Sequence, residues 1–131
     1  MVNRFVYKPD NQDIYLFLGL LFTIYLTIRA IVIPITIDEA GTYYNYMPRS
    51  VADILLFNGD PSPNNHILNT LSMKLFTALF GTTTFVVRLP NLLGFLLFYT
   101  AAVRLFTLMF KTRILVIAAL LVLLCNPYLL D

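Results

Sequence analysis

The sequence has no tryptophan, a single cysteine and a single histidine, and only 12% of its 131 residues are charged. Cys125 stands alone in an apolar run, so the chain can form neither an internal disulfide framework nor a cysteine-based metal site. Nine Lys and Arg against seven Asp and Glu leave a net charge of +2, with no basic run. Nothing here would track a phosphate backbone, so nucleic acid is excluded as a partner. The polar surface of a soluble domain is missing too. Such domains are about 45–50% apolar and about 25% charged, whereas this chain is 59% hydrophobic with a mean hydropathy of +0.78. No internal repeat or low-complexity segment is visible. What remains is the composition of an integral membrane protein.

The apolar runs set the organisation. Residues 1–13 form a short polar start with Arg4 and Lys8. Residues 14–33 are apolar except for Arg29 and a few hydroxyls, and about 20 residues at 1.5 Å each match a hydrocarbon core of about 30 Å. This run exceeds a signal-peptide core of about 7–15 residues and lacks a small-residue cleavage site, which makes it a retained anchor. Pro34 ends it. Residues 34–84 are more polar, carry four of the seven acids, and hold the turn-rich Asn58 to Asn65. Short helices are expected from Asp38, as N-cap or first-turn residue, to about Met47, and over residues 50–57. Residues 66–80 are amphipathic and shorter than the roughly 17 residues a span needs. They read as a helix lying at the interface or packed on other helices, with a short span as the alternative. A second span follows at 85–110, with Pro90 near its first turn, where a missing N–H costs little. Residues 111–113 are a basic turn, and 114–131 begin a third span. If 66–80 does not cross, Arg4, Lys8, Arg104, Lys111 and Arg113 share the cytoplasmic side and residues 34–84 lie outside. The expected fold is all-α: a polytopic transmembrane unit of about three spans plus exterior juxtamembrane helices.

Within the exterior stretch, Asp38 and Glu39 stand out, directly past the first span. Acids at a helix start are favoured by the macrodipole, by about 0.3–1 kcal/mol. A carboxylate half out of water also has a raised proton affinity, which suits a general base. His66, after Asn64 and Asn65, is either a solvated cap residue or part of the same exterior cleft. One His and two adjacent acids make a weak metal signal. Lys74 and Arg88 are interfacial anchors or lipid-phosphate ligands. Tyr43, Tyr44 and Tyr46 form an aromatic belt or a binding platform.

The order of these features resembles the start of a known family. Asp38-Glu39-Ala40 after the first span, Asn65-His66, Phe80-Gly81 closing an amphipathic helix, and Arg88-Leu89-Pro90 opening a span follow one another as in polytopic glycosyltransferases that use polyprenyl-phosphate sugars. These have the GT-C fold of glycosyltransferase family 39, which includes protein O-mannosyltransferases and the aminoarabinose transferase that modifies lipid A. The resemblance spans residues 14–131. It implies Asp38 as catalytic base, with Glu39 supporting it or contacting substrate. It also implies Asn65, His66, Lys74, Arg88 and Tyr43 as residues facing donor or lipid phosphate. The family often carries a Lys-Pro-Pro or His-Pro-Pro stretch before the amphipathic helix; here Asn65-His66-Ile67-Leu68 stands in its place, without the proline pair. The implied partners are a polyprenyl-phosphate-linked sugar, the bilayer, and a protein, lipid or glycan acceptor. No cofactor is firmly implied; the chemistry admits a divalent cation without requiring one. The family pattern places such a protein in the bacterial inner membrane, with the site on the periplasmic face. It also implies more spans after Asp131, so the 131-residue chain is expected to be incomplete and inactive alone. The alternatives are a small non-catalytic membrane subunit or lipid-binding module, and a transporter fragment. The last fits less well because the acids lie outside the spans.

Overall fold

A computed structural model describes residues 12–58 and 66–126. Every regular element among them is helical: α1 (Gln12–Val32), α2 (Ile37–Asn45), α3 (Val51–Leu56), α4 (Ile67–Phe80), α5 (Thr84–Met109) and α6 (Arg113–Leu124). Two of these, α1 with 21 residues and α5 with 26, are long and apolar enough to cross a membrane. Of the third span expected at 114–131, the described residues show the 12-residue helix α6, shorter than a span needs, followed by Cys125 and Asn126; residues 127–131 lie outside them. Arg4 and Lys8 also lie outside them.

The chain packs as two compact units, one comprising Met1–Thr27 with Gly94–Asp131, the other Ile28–Leu93. In the first unit the core is a stripe on each helix. Tyr15, with Leu18 and Phe22, comes from α1, Tyr99 and Ala102 from α5, and Val116, Leu120 and Leu124 from α6. Successive spacings of three or four put each set on one helical face. The opposite faces are also apolar: Leu16, Phe17, Leu97, Leu105, Ile114 and Val122 are all exposed. The threonine hydroxyls of the long helices bond backward within their own helix: Thr23 donates to the Gly19 carbonyl at 2.7 Å, Thr27 to that of Thr23 at 2.7 Å, and Thr107 to that of Val103 at 2.9 Å. They add no polarity that needs water.

Glycine governs the closest approach in this unit. The Tyr99 hydroxyl donates to the Tyr15 carbonyl, and the ring lies where a side chain on Gly19 would stand, with a Cβ there only 2.5 Å from Cε1. Gly19→Val should push the ring away and break that hydrogen bond, destabilising the unit by about 1–3 kcal/mol. Thermal unfolding in detergent micelles measures it. Gly41→Ala, whose Cβ meets only Asn45 Nδ2 at 4.0 Å, should instead stabilise by about 0.5–1 kcal/mol.

In the second unit, α2 begins one residue earlier than its acids announce. Thr36, not Asp38, is the N-cap. Asp38 and Glu39 occupy the first turn, and the helix ends at Asn45, short of the expected Met47. The second short helix falls where expected, with Ser50 as N-cap and Phe57 as C-cap in the left-handed region at φ 55. In α5, Pro90 is not in the first turn. Thr83 caps that helix, its hydroxyl accepting from the Val86 N–H at 3.3 Å, so Pro90 is the seventh helical residue. It therefore leaves the Val86 carbonyl without its usual donor.

Helix α4 is turned inside out relative to a soluble helix. Thr70, Met73 and Thr77 are buried, while Leu68 is 80% exposed and Leu75, Leu79 and Phe80 are exposed as well. Lys74 reaches from the inward side to donate to the Met47 carbonyl at 2.8 Å and the Arg49 carbonyl at 2.9 Å. At 14 residues the helix is about 21 Å long, short of a hydrocarbon core of about 30 Å.

Candidate functional site

The site is an elbow between α1 and α2, and Pro34 creates the need for it. Having no N–H, Pro34 cannot donate to the carbonyl of Ala30, four residues earlier, so the end of α1 is left short of donors. Arg88, near the start of α5, supplies them. Its Nη1 donates to the Ala30 carbonyl at 3.2 Å and the Ile33 carbonyl at 2.7 Å. Its Nη2 donates to the Pro34 carbonyl at 2.9 Å. The remaining N–H groups grip Glu39: Nε to Oε1 at 2.7 Å and Nη2 to Oε2 at 2.6 Å. A guanidinium has five N–H groups, and all five are used here. Arg88 is 8% exposed, so it closes one helix and anchors the next in a half-dry setting.

Glu39 is equally committed. Besides the Arg88 fork, its Oε2 accepts from the Thr36 N–H at 2.9 Å, while its own N–H donates to Thr36 Oγ1 at 3.3 Å. This is a reciprocal capping box, for which Thr36-Ile37-Asp38-Glu39 is the sequence signature. Burial raises the Glu39 pKa. The Arg88 hydrogen bonds, the Thr36 N–H, the Arg88 charge and the Thr36 hydroxyl together outweigh it, and the carboxyl titrates below the ordinary 4.5.

The sign of the pH dependence follows. Since the folded pKa is the lower one, the pair's contribution is fully present above the unfolded value and is lost as pH falls through the folded one. Stability should hold from neutrality down to the ordinary value of 4.5 and fall below it. Asp53, lowered first by its bond from the Ser50 hydroxyl, titrates in the same direction. The difference in acid unfolding between wild type and Glu39→Gln isolates the part due to Glu39.

Asp38, the other half of the acidic pair, is exposed. Its backbone carbonyl accepts from the Thr42 hydroxyl at 3.0 Å, but no hydrogen bond or ion pair among the described residues engages its carboxylate. Two adjacent acids thus have opposite environments: one locked into the elbow, one free on the first turn of a helix fixed at its base.

The other expected site residues are dispersed. His66 is exposed at the N-cap position of α4, and its side chain makes no capping bond. Asn65 lies outside the described residues. Lys74 is spent on the two carbonyls that tie α4 to the α2–α3 turn. Tyr43 is half-buried and meets Tyr44 edge-on at 5.3 Å, while Tyr46 is buried beneath the Arg49 guanidinium at 5.2 Å. No hydrogen bond or ion pair among the described residues joins Asp38, His66 or Tyr43 to Arg88. Sequence reasoning passed over Arg49, whose Nε donates to the Asn45 carbonyl at 2.8 Å and Nη1 to that of Asn58 at 3.0 Å. It also passed over Thr36, which the capping-box pattern reveals. Among the described residues, no three His, Cys, Asp or Glu side chains gather as metal ligands.

No family model, no curated protein and no solved structure matches the chain.

Proposed function

We propose that this chain supplies the acceptor-activating elbow of a polytopic membrane glycosyltransferase that uses a polyprenyl-phosphate sugar. One observation carries the reading: the Asp38 carboxylate, unengaged among the described residues, stands on a helix whose base is locked by Glu39, Thr36 and Arg88, immediately beyond a helix able to cross a membrane. The outward apolar faces of α1, α4 and α5 support membrane embedding. In water these exposed apolar side chains would be sticky, whereas in lipid they are solvated. The charge pattern supports an orientation with Asp38 on the exterior face, and the family resemblance suggests a bacterial inner membrane.

In this reading the acceptor hydroxyl loses its proton to Asp38 as its oxygen forms a bond to the anomeric carbon. The bond from that carbon to the phosphate oxygen breaks, and the polyprenyl phosphate leaves as an anion. Glu39 and Arg88 act as positioning residues for the helix that presents Asp38. The donors of Arg88 are consumed and Lys74 is spent on backbone, whereas the His66 side chain makes no hydrogen bond or ion pair among the described residues and is the candidate phosphate partner. Incubating membranes that contain the full product of the encoding gene with polyprenyl-phosphate hexoses and pentoses tests the proposal. Transfer that depends on Asp38 supports it. A non-catalytic subunit or lipid-binding module predicts no transfer and a partner that copurifies equally with wild type and Asp38→Asn.

A further inference from the structure

The turn joining α5 to α6 carries a charge that no side chain among the described residues balances. Arg104, Lys111 and Arg113 are exposed, and none of their side chains makes a hydrogen bond or ion pair among the described residues. Residues 94–126 contain no Asp or Glu at all. The one acid among the described residues of that unit, Asp13, opens α1 and pairs with none of the three. Apolar side chains flank the cations on both helices: Leu105, Leu108 and Met109 on α5, Ile114 and Leu115 on α6, all exposed.

We propose that this turn is a binding site for an anionic phospholipid, with Arg104, Lys111 and Arg113 around its phosphate and the neighbouring leucines, Met109 and Ile114 along its acyl chains. Charge complementarity selects an anion. The apolar flank selects a lipid over a soluble anion, because free phosphate would leave those side chains in water. Cations beside an apolar helix also let their stems lie along hydrocarbon while their heads reach the headgroup layer. The inference rests on the membrane reading but not on the transferase reading, and it assigns a function to an end of α5 that the elbow does not use.

Native mass spectrometry of the protein released from nanodiscs of equal parts phosphatidylglycerol and phosphatidylcholine tests it. The retained lipid should be enriched in phosphatidylglycerol. The triple variant Arg104→Gln, Lys111→Gln, Arg113→Gln should lose that enrichment, with affinity falling about a hundredfold for three cations near an anionic surface. Arg104→Lys with Arg113→Lys should keep it. Inorganic phosphate should not displace the lipid. Equal retention of both lipids, enrichment that survives in the triple variant, or displacement by inorganic phosphate would each overturn the proposal. A chain that inserts normally yet shows no selectivity separates this failure from failure of the membrane reading.

Discussion

Arg88→Ala is expected to destabilise the second unit by about 3–5 kcal/mol, the usual cost of removing one partner from a largely buried ion pair. The effect exceeds that of a surface pair, at about 0–1 kcal/mol, because Arg88 does two jobs. Its loss strands the Glu39 carboxylate, and it also strips donors from the carbonyls of Ala30, Ile33 and Pro34. Since Pro34 cannot supply a donor itself, the end of α1 and the start of α2 should loosen together. Amide hydrogen exchange across Ile37–Asn45 should accelerate by two to three orders of magnitude, at about 1.4 kcal/mol per tenfold, if opening of the elbow limits exchange there. Arg88→Met combined with Glu39→Gln should cost less than Arg88→Met alone, because no unpaired charge is then left in the elbow. If the double variant were as unstable as the sum of the singles, the ion pair would not be what holds the elbow.

Asp38→Asn is expected to lower sugar transfer by about 10²–10⁴-fold, the usual contribution of a positioned general base. It should leave exchange protection of α2 nearly intact, because the carboxylate of Asp38 holds nothing among the described residues. Glu39→Gln should affect both. It weakens the Arg88 fork and one arm of the capping box, so protection and activity fall together. Two neighbouring acids of like charge would then separate in experiment by role: one variant loses chemistry at constant structure, the other loses structure first.

Much of this fold was legible in the sequence, for identifiable reasons. Long apolar runs and Pro34 set the extent of α1, and the Ser50 and Phe57 limits of α3 fell within the expected stretch because caps and hydrophobic spacing are local signals. The period of α4 was readable, but which face turns inward was not. The leucine face points outward and Thr70, Met73 and Thr77 point inward, a choice set by packing against α3 and by Lys74 reaching the α2–α3 turn. Pro90 was placed by its usual preference for the first turn, but the Thr83 cap starts the helix earlier. The acidic pair was legible as a pair. Its division was not, because that depends on Arg88, forty-nine residues away in sequence from Glu39. No local pattern announces that an arginine near the start of one helix will satisfy a proline-starved helix end elsewhere.

The most direct test measures transfer from a polyprenyl-phosphate sugar by membranes carrying the full gene product, comparing wild type with Asp38→Asn at equal protein level, with α2 exchange protection recorded on the same samples. The account predicts transfer by wild type and a loss of at least about a hundredfold in the variant, with protection unchanged. Transfer that proceeds equally in both, or a variant whose α2 protection collapses along with its activity, would contradict the assignment of Asp38 as a free catalytic base on a helix locked by its neighbours.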